Sequence, residues 1–63
     1  MKTIYVPASP GGLLFEHLAG ISESEAWQRL LADAGYKIMS REANNKAIQY
    51  MRDGGWTVEE VQQ

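Results

Sequence analysis

Ser22-Glu23-Ser24-Glu25-Ala26-Trp27-Gln28-Arg29-Leu30-Leu31-Ala32-Asp33-Ala34-Gly35-Tyr36 carries a start, a stripe and a stop for one amphipathic helix. Ser22 is a good N-cap, because its hydroxyl can accept from a backbone N–H that the first turn leaves unpaired. Glu25 stands three residues later, where it can reach back to the Ser22 N–H and complete a capping box, with Ile21 and Ala26 at the two staple positions. Glu23 and Glu25 put negative charge where the helix dipole favours it. Ala26, Trp27, Leu30, Leu31 and Ala34 then fall on one face at helical spacing. Gly35 supplies the left-handed residue of a Schellman stop, with Tyr36 folding back towards Leu31.

Working outward towards the N-terminus, Thr3 to Pro7 reads as a strand rich in β-branched and aromatic residues. Pro7 has no N–H to give and belongs at a strand end or an edge. Ser9-Pro10-Gly11-Gly12 is a turn by composition. Leu13 to Leu18 follows as a second apolar run, with Leu13, Phe15 and His17 on one strand face and Leu14, Glu16 and Leu18 on the other. Strand, turn and strand predict a hairpin. A helical turn over residues 13–19 is the competing reading, since Leu, Glu and Ala are good helix formers.

Towards the C-terminus, Lys37-Ile38-Met39 is a short connection and Ser40 a second N-cap. Arg41 to Asp53 is helical by propensity and is closed by Gly54-Gly55. Its wheel groups Ala43, Ala47, Tyr50 and Met51 on a core-facing side, with Arg41, Asn45, Gln49 and Arg52 roughly opposite and Ile48 between them. Trp56 to Val61 reads as a third strand; a short helix capped by Thr57 is the alternative. The sum is one α+β domain over residues 1–63: an N-terminal hairpin, two helices and a short C-terminal strand. Its small three-stranded sheet has both helices on one face. The core expected is Ile4, Val6, Phe15, Trp27, Leu30, Leu31, Ala47, Met51, Trp56 and Val58, with the first strand an edge.

The pattern resembles small uncharacterised proteins of phage and prophage genomes. The resemblance rests on Tyr5-Val6, the Pro10-Gly11 turn, Glu23-Ser24-Glu25-Ala26-Trp27 opening a helix, Ser40 capping the next, and Gly55-Trp56-Thr57-Val58 near the end. It covers nearly the whole chain. It implies an α+β fold with a three-stranded sheet and no established activity, and it carries over no functional residue.

Composition narrows the chemistry. A chain of 63 residues without cysteine has no disulfide or thiolate metal site, and its single histidine builds no His cluster. Stability has to come from an apolar core, supplemented by self-association. Glu16 and His17 are adjacent and point apart on a strand. The glycines match no phosphate-binding fingerprint, and no nucleophile is set beside a base. No enzyme, cofactor or metal is therefore expected. A net charge of −2 gives no field for DNA or an acidic membrane. No apolar run is long enough to span a bilayer, and MKTIYVPASP lacks the apolar region of a secretory signal, so a cytoplasmic protein is expected.

Two surfaces are candidates for contact. Arg41, Asn45, Gln49 and Arg52 form a polar stripe of residue types that pair with base edges in the major groove. Glu42, Asp53 and the acidic balance oppose that use. Tyr5 and Leu14 mark an edge or dimer contact, in a homodimer or by strand addition to another protein. A non-enzymatic protein-interaction module of phage accessory type is the first reading, and a small DNA-binding regulator acting through residues 41–53 is the second.

Overall fold

The computed structural model describes residues 2–37 and 40–63. In order these are strand β1 (Thr3–Ala8), a 3₁₀ turn (Glu16–Leu18), helix α1 (Glu23–Asp33), helix α2 (Arg41–Asp53) and strand β2 (Thr57–Gln62). The class is α+β, as the patterning predicts. The Ile38-Met39 part of the connection lies outside the described residues.

The central helix forms as its signals require. The Ser22 hydroxyl accepts the Glu25 N–H at 3.1 Å. The box closes one residue early, because the Glu25 carboxylate accepts from Ile21 N–H at 3.4 Å rather than from Ser22. The staple does not form: Ile21 is 70% exposed. At the other end Tyr36 N–H reaches Leu31 C=O and Gly35 N–H reaches Ala32 C=O, with Gly35 at φ 94°, which is the Schellman pair. Ala34 is exposed as the C-cap, so the buried stripe is Ala26, Trp27, Leu30 and Leu31. Ser22→Ala is expected to lower stability by about 0.5–2 kcal/mol, seen as a lower denaturation midpoint in urea; an unchanged midpoint would show that this cap contributes nothing.

The predicted three-stranded sheet is not what forms. Among the described residues the sheet has two strands, β1 and β2, antiparallel from Thr3↔Gln62 to Ala8↔Thr57. The C-terminal segment is thus a strand, over Thr57–Gln62 and not from Trp56, and it pairs with the far end of the chain. Leu13 to Leu18 begins as the expected hairpin and then leaves it. Gly12 N–H closes the Ser9 turn, Ser9 N–H donates to Leu13 C=O, and Ala8 bridges Leu14. Phe15 N–H donates to Pro7 C=O at 2.9 Å. Pro7 has no N–H to return, so the ladder fails there. The chain makes its 3₁₀ turn and rejoins β1 at Gly20, which exchanges both backbone hydrogen bonds with Tyr5 at 2.9 Å. Residues 13–20 therefore form a hook along the side of β1 away from β2. β1 is flanked on both sides, and the expectation that it is an edge is corrected.

The hook also undoes the strand alternation assigned to it. Phe15 and Leu18 enter the same apolar cluster, while exposed His17 stacks on Phe15 at 5.8 Å between ring centroids. That cluster is built on Leu18, Trp27 and Leu30, with Phe15, Ile48, Met51, Trp56 and Val58 packed against it. Phe15 meets Trp56 edge-on at 5.3 Å. Val58 stands opposite Pro7 in the register, so Pro7, itself fully buried, is on the sheet face that meets the cluster.

Helix α2 is rotated from the predicted wheel. Ala47 is buried and Met51 half-buried, as expected, but Tyr50 is 71% exposed and Ile48 packs on the core. The inward side is Ala43, Asn44, Ala47, Ile48 and Met51, with Ala47 buried and the other four half-buried. Ser40 caps the helix through Ala43 N–H at 3.2 Å. A second Schellman pair, Trp56 N–H to Met51 C=O and Gly55 N–H to Arg52 C=O, turns the chain into β2. It places Trp56 over the core edge.

Candidate functional site

The polar stripe of α2 is exposed along its length, and the structure divides it. Arg52 turns towards α1. Its Nη2 donates to Glu23 Oε1 at 3.2 Å, and its guanidinium carbon lies 5.3 Å from the centroid of the Trp27 ring. Gln49 Nε2 donates to Asp53 Oδ1 at 2.8 Å. Asn45, Gln49 and Arg52 share a groove of about 370 Å³ with Ile48 and with Glu23, Ser24 and Trp27 of α1. Arg41 lies outside that lining. Two of the four side chains that would read bases are thus held by carboxylates on the same surface, and a phosphate approaching Arg52 meets Glu23 first. No binding of duplex DNA above the weak non-specific level is expected at physiological salt. Micromolar, salt-sensitive binding in a titration with labelled duplex, lost in Arg41→Ala or Arg52→Ala, would restore the recognition-helix reading.

Tyr5 and Leu14 are not brought together. Tyr5 is half-buried and alternates onto the Pro7 face of β1. Leu14 is on the other face, where it lines a groove of about 210 Å³ with Ile4, Val6, Val61, Glu16 and Gln63. The backbone of Tyr5, offered as an edge, is taken by Gly20.

The open edge belongs to β2. Lys2 and Gln63 exchange both backbone hydrogen bonds, at 2.9 and 2.7 Å. Alternation from that pair makes Ile4↔Val61, Val6↔Glu59 and Ala8↔Thr57 the hydrogen-bonded pairs of the ladder. The N–H and C=O groups of Val58, Glu60 and Gln62 then point away from β1. Among the described residues no further strand takes them. Glu59 and Glu60 are exposed there, on opposite faces.

A third feature escaped the sequence reading. Tyr50, Met51, Asp53, Gly54 and Trp56 line a depression of about 400 Å³ at the end of α2. The wheel puts Tyr50 on the core-facing side, whereas it is exposed; the i+3 and i+4 spacing of Asn44, Ala47, Ile48 and Met51 is the available signal. Among the described residues no three His, Asp or Glu side chains come together in a metal-holding group, and no helix is long and apolar enough to cross a membrane. Comparison with protein-family models, curated proteins and solved structures gave no match to this chain.

Proposed function

We propose that this chain is a non-enzymatic protein-interaction module acting in the cytoplasm, an accessory protein of phage type, that binds a partner protein by accepting one of its segments along β2. The observation that carries this is the row of outward backbone groups at Val58, Glu60 and Gln62, which no further strand takes among the described residues. An unprotected edge is a template for another chain, and strand addition converts it into a binding site with main-chain hydrogen bonds for affinity. The DNA-binding alternative is weakened by the Arg52–Glu23 pair.

The test is affinity capture from a bacterial lysate with mass spectrometry, using the wild-type chain and Glu60→Pro side by side. The substitution removes an outward N–H from an edge strand, where proline is tolerated, and leaves the bonds to β1 in place. Proteins captured reproducibly by the wild type and lost from a folded Glu60→Pro chain are the expected result. Capture that is equal on both chains would move the site elsewhere, and no specific capture at all would overturn the module.

A further inference from the structure

We infer that the outer edge of β2 selects an extended segment whose pattern is apolar–basic–basic–apolar. This rests on the strand-addition reading and adds the chemistry of the partner.

The selection follows from the four residues along the edge. Val58-Glu59-Glu60-Val61 is apolar–acidic–acidic–apolar, with both valines half-buried and both glutamates exposed. Successive side chains of a strand alternate between faces. Val58 and Glu60 are therefore on the face that meets the helices, and Glu59 and Val61 are on the face with the Leu14 groove. Each face of the edge offers one carboxylate and one apolar neighbour. A strand laid beside it brings its own side chains within reach of these on the same faces, where opposite charges stabilise the pair and like charges destabilise it. Two adjacent cations answer Glu59 and Glu60, one on each face. The flanking apolar residues meet Val58 on one side and Val61 on the other. Beyond Val61 the Ile4, Val6 and Leu14 groove has room for a branched side chain. The pattern reads the same in both directions, so either strand polarity satisfies it.

The charges of the sheet are uncompensated from within. On the helices, Glu25, Glu42 and Glu23 sit beside Arg29, Lys46 and Arg52. Among the described residues Glu16, Glu59 and Glu60 have no such cation, and Glu16 lines the same groove. Glu60 Oε1 accepts from Gln62 Nε2 at 3.3 Å. The same charges argue against a second copy as occupant. Antiparallel pairing of two β2 strands about Glu60 sets Glu60 directly against its own counterpart and Glu59 diagonally across from its own. They also turn away a polyanion.

The probe is a short synthetic peptide with a valine–lysine–lysine–valine core between threonines. Its partners are the same peptide with glutamates for the lysines, and one with prolines for the flanking valines. Titration into isotope-labelled protein should give saturable amide shifts centred on Val58, Glu60 and Gln62, with slowed hydrogen exchange at those amides. The glutamate and proline peptides should not bind. The doubly exchanged Glu59→Lys, Glu60→Lys chain should lose roughly tenfold or more in affinity for the lysine peptide and gain the glutamate peptide, as reversed charge complementarity requires. Both positions are exposed, so the variant is expected to fold. Equal binding of the lysine and glutamate peptides, shifts centred on α2 instead, or no saturable shift would overturn the inference. So would protection of those amides without peptide in a chain that sediments as a dimer. A lysine peptide that fails while Glu60→Pro still releases a captured partner would leave the edge as the docking strand and remove only the charge selectivity.

Discussion

Trp27→Ala is expected to leave most of the chain unfolded at room temperature. Trp27 is 3% exposed, sits in the middle of α1, and touches both neighbours of that helix. It forms one cluster with Leu18 of the hook and Leu30, and on that cluster pack Val58 and Trp56 from the strand side and Ile48 and Met51 from α2. Truncating a buried aromatic costs about 3–5 kcal/mol, because the transfer energy is lost and the cavity does not collapse. The total stability of a chain of 63 residues is roughly 3–9 kcal/mol at the usual 0.05–0.15 kcal/mol per residue. The loss is therefore comparable with the whole. The indole Nε1–H is buried with no acceptor among the described residues, so packing is what holds the ring. Trp27→Phe should accordingly lose much less than Trp27→Ala. Circular dichroism with urea titration reads both. A cooperative transition for Trp27→Ala within about 1 kcal/mol of the wild type would show that the cluster is not centred on this ring.

How far the sequence carried this structure depends on whether each signal was local. Ser22, Gly35, Ser40 and Gly55 act on backbone groups within one turn of themselves, and both helices begin and end where these residues put them. Val6, Trp27, Leu30, Leu31 and Ala47 are buried as their periodicity demands. The hook was not legible, because it depends on which edge of β1 Pro7 faces. That is decided by the pairing of β1 with β2, whose strands lie at opposite ends of the chain. Once β2 occupies one side, the missing Pro7 N–H falls on the other, and the hairpin cannot propagate. The small rotation of α2 was missed for a related reason. Tyr50 and Ile48 are both apolar enough to be core residues, and the choice is made by α1 across the interface. The candidate edge has the same dependence: with β1 taken as an edge Tyr5 is the contact, whereas the pairing of β1 with β2 puts the outward backbone groups at Val58, Glu60 and Gln62.

Gly20→Ala is the substitution that tests the hook itself. Gly20 is buried where the hook passes between β1 and the first turn of α1. A β-carbon there would lie 2.9 Å from the Ala26 nitrogen and 2.9 Å from the Glu25 β-carbon. Neither neighbour is the free end of a flexible side chain. Glu25 and Ala26 are in the first turn of α1, and the Ala26 N–H is bonded to Ser22 C=O at 3.0 Å. Gly20 cannot withdraw either, because both of its backbone groups are bonded to Tyr5. The added methyl must therefore push the helix start off the strand or break the Tyr5–Gly20 pair. Overpacking of this kind costs about 1–3 kcal/mol. Gly11→Ala is the control: the nearest atom to its β-carbon is Ser9 Oγ at 3.9 Å, and its φ is not positive. There the loss of freedom in the unfolded chain should make the change neutral or stabilising by up to about 1 kcal/mol. Hydrogen exchange locates the damage. The amides of Tyr5 and Gly20 should lose protection in Gly20→Ala, while those of Ile4 and Val6, bonded to β2, keep theirs relative to the lowered global stability. Equal stability of the two alanine variants would mean that the hook does not lie between β1 and α1, and that the second side of β1 is open after all.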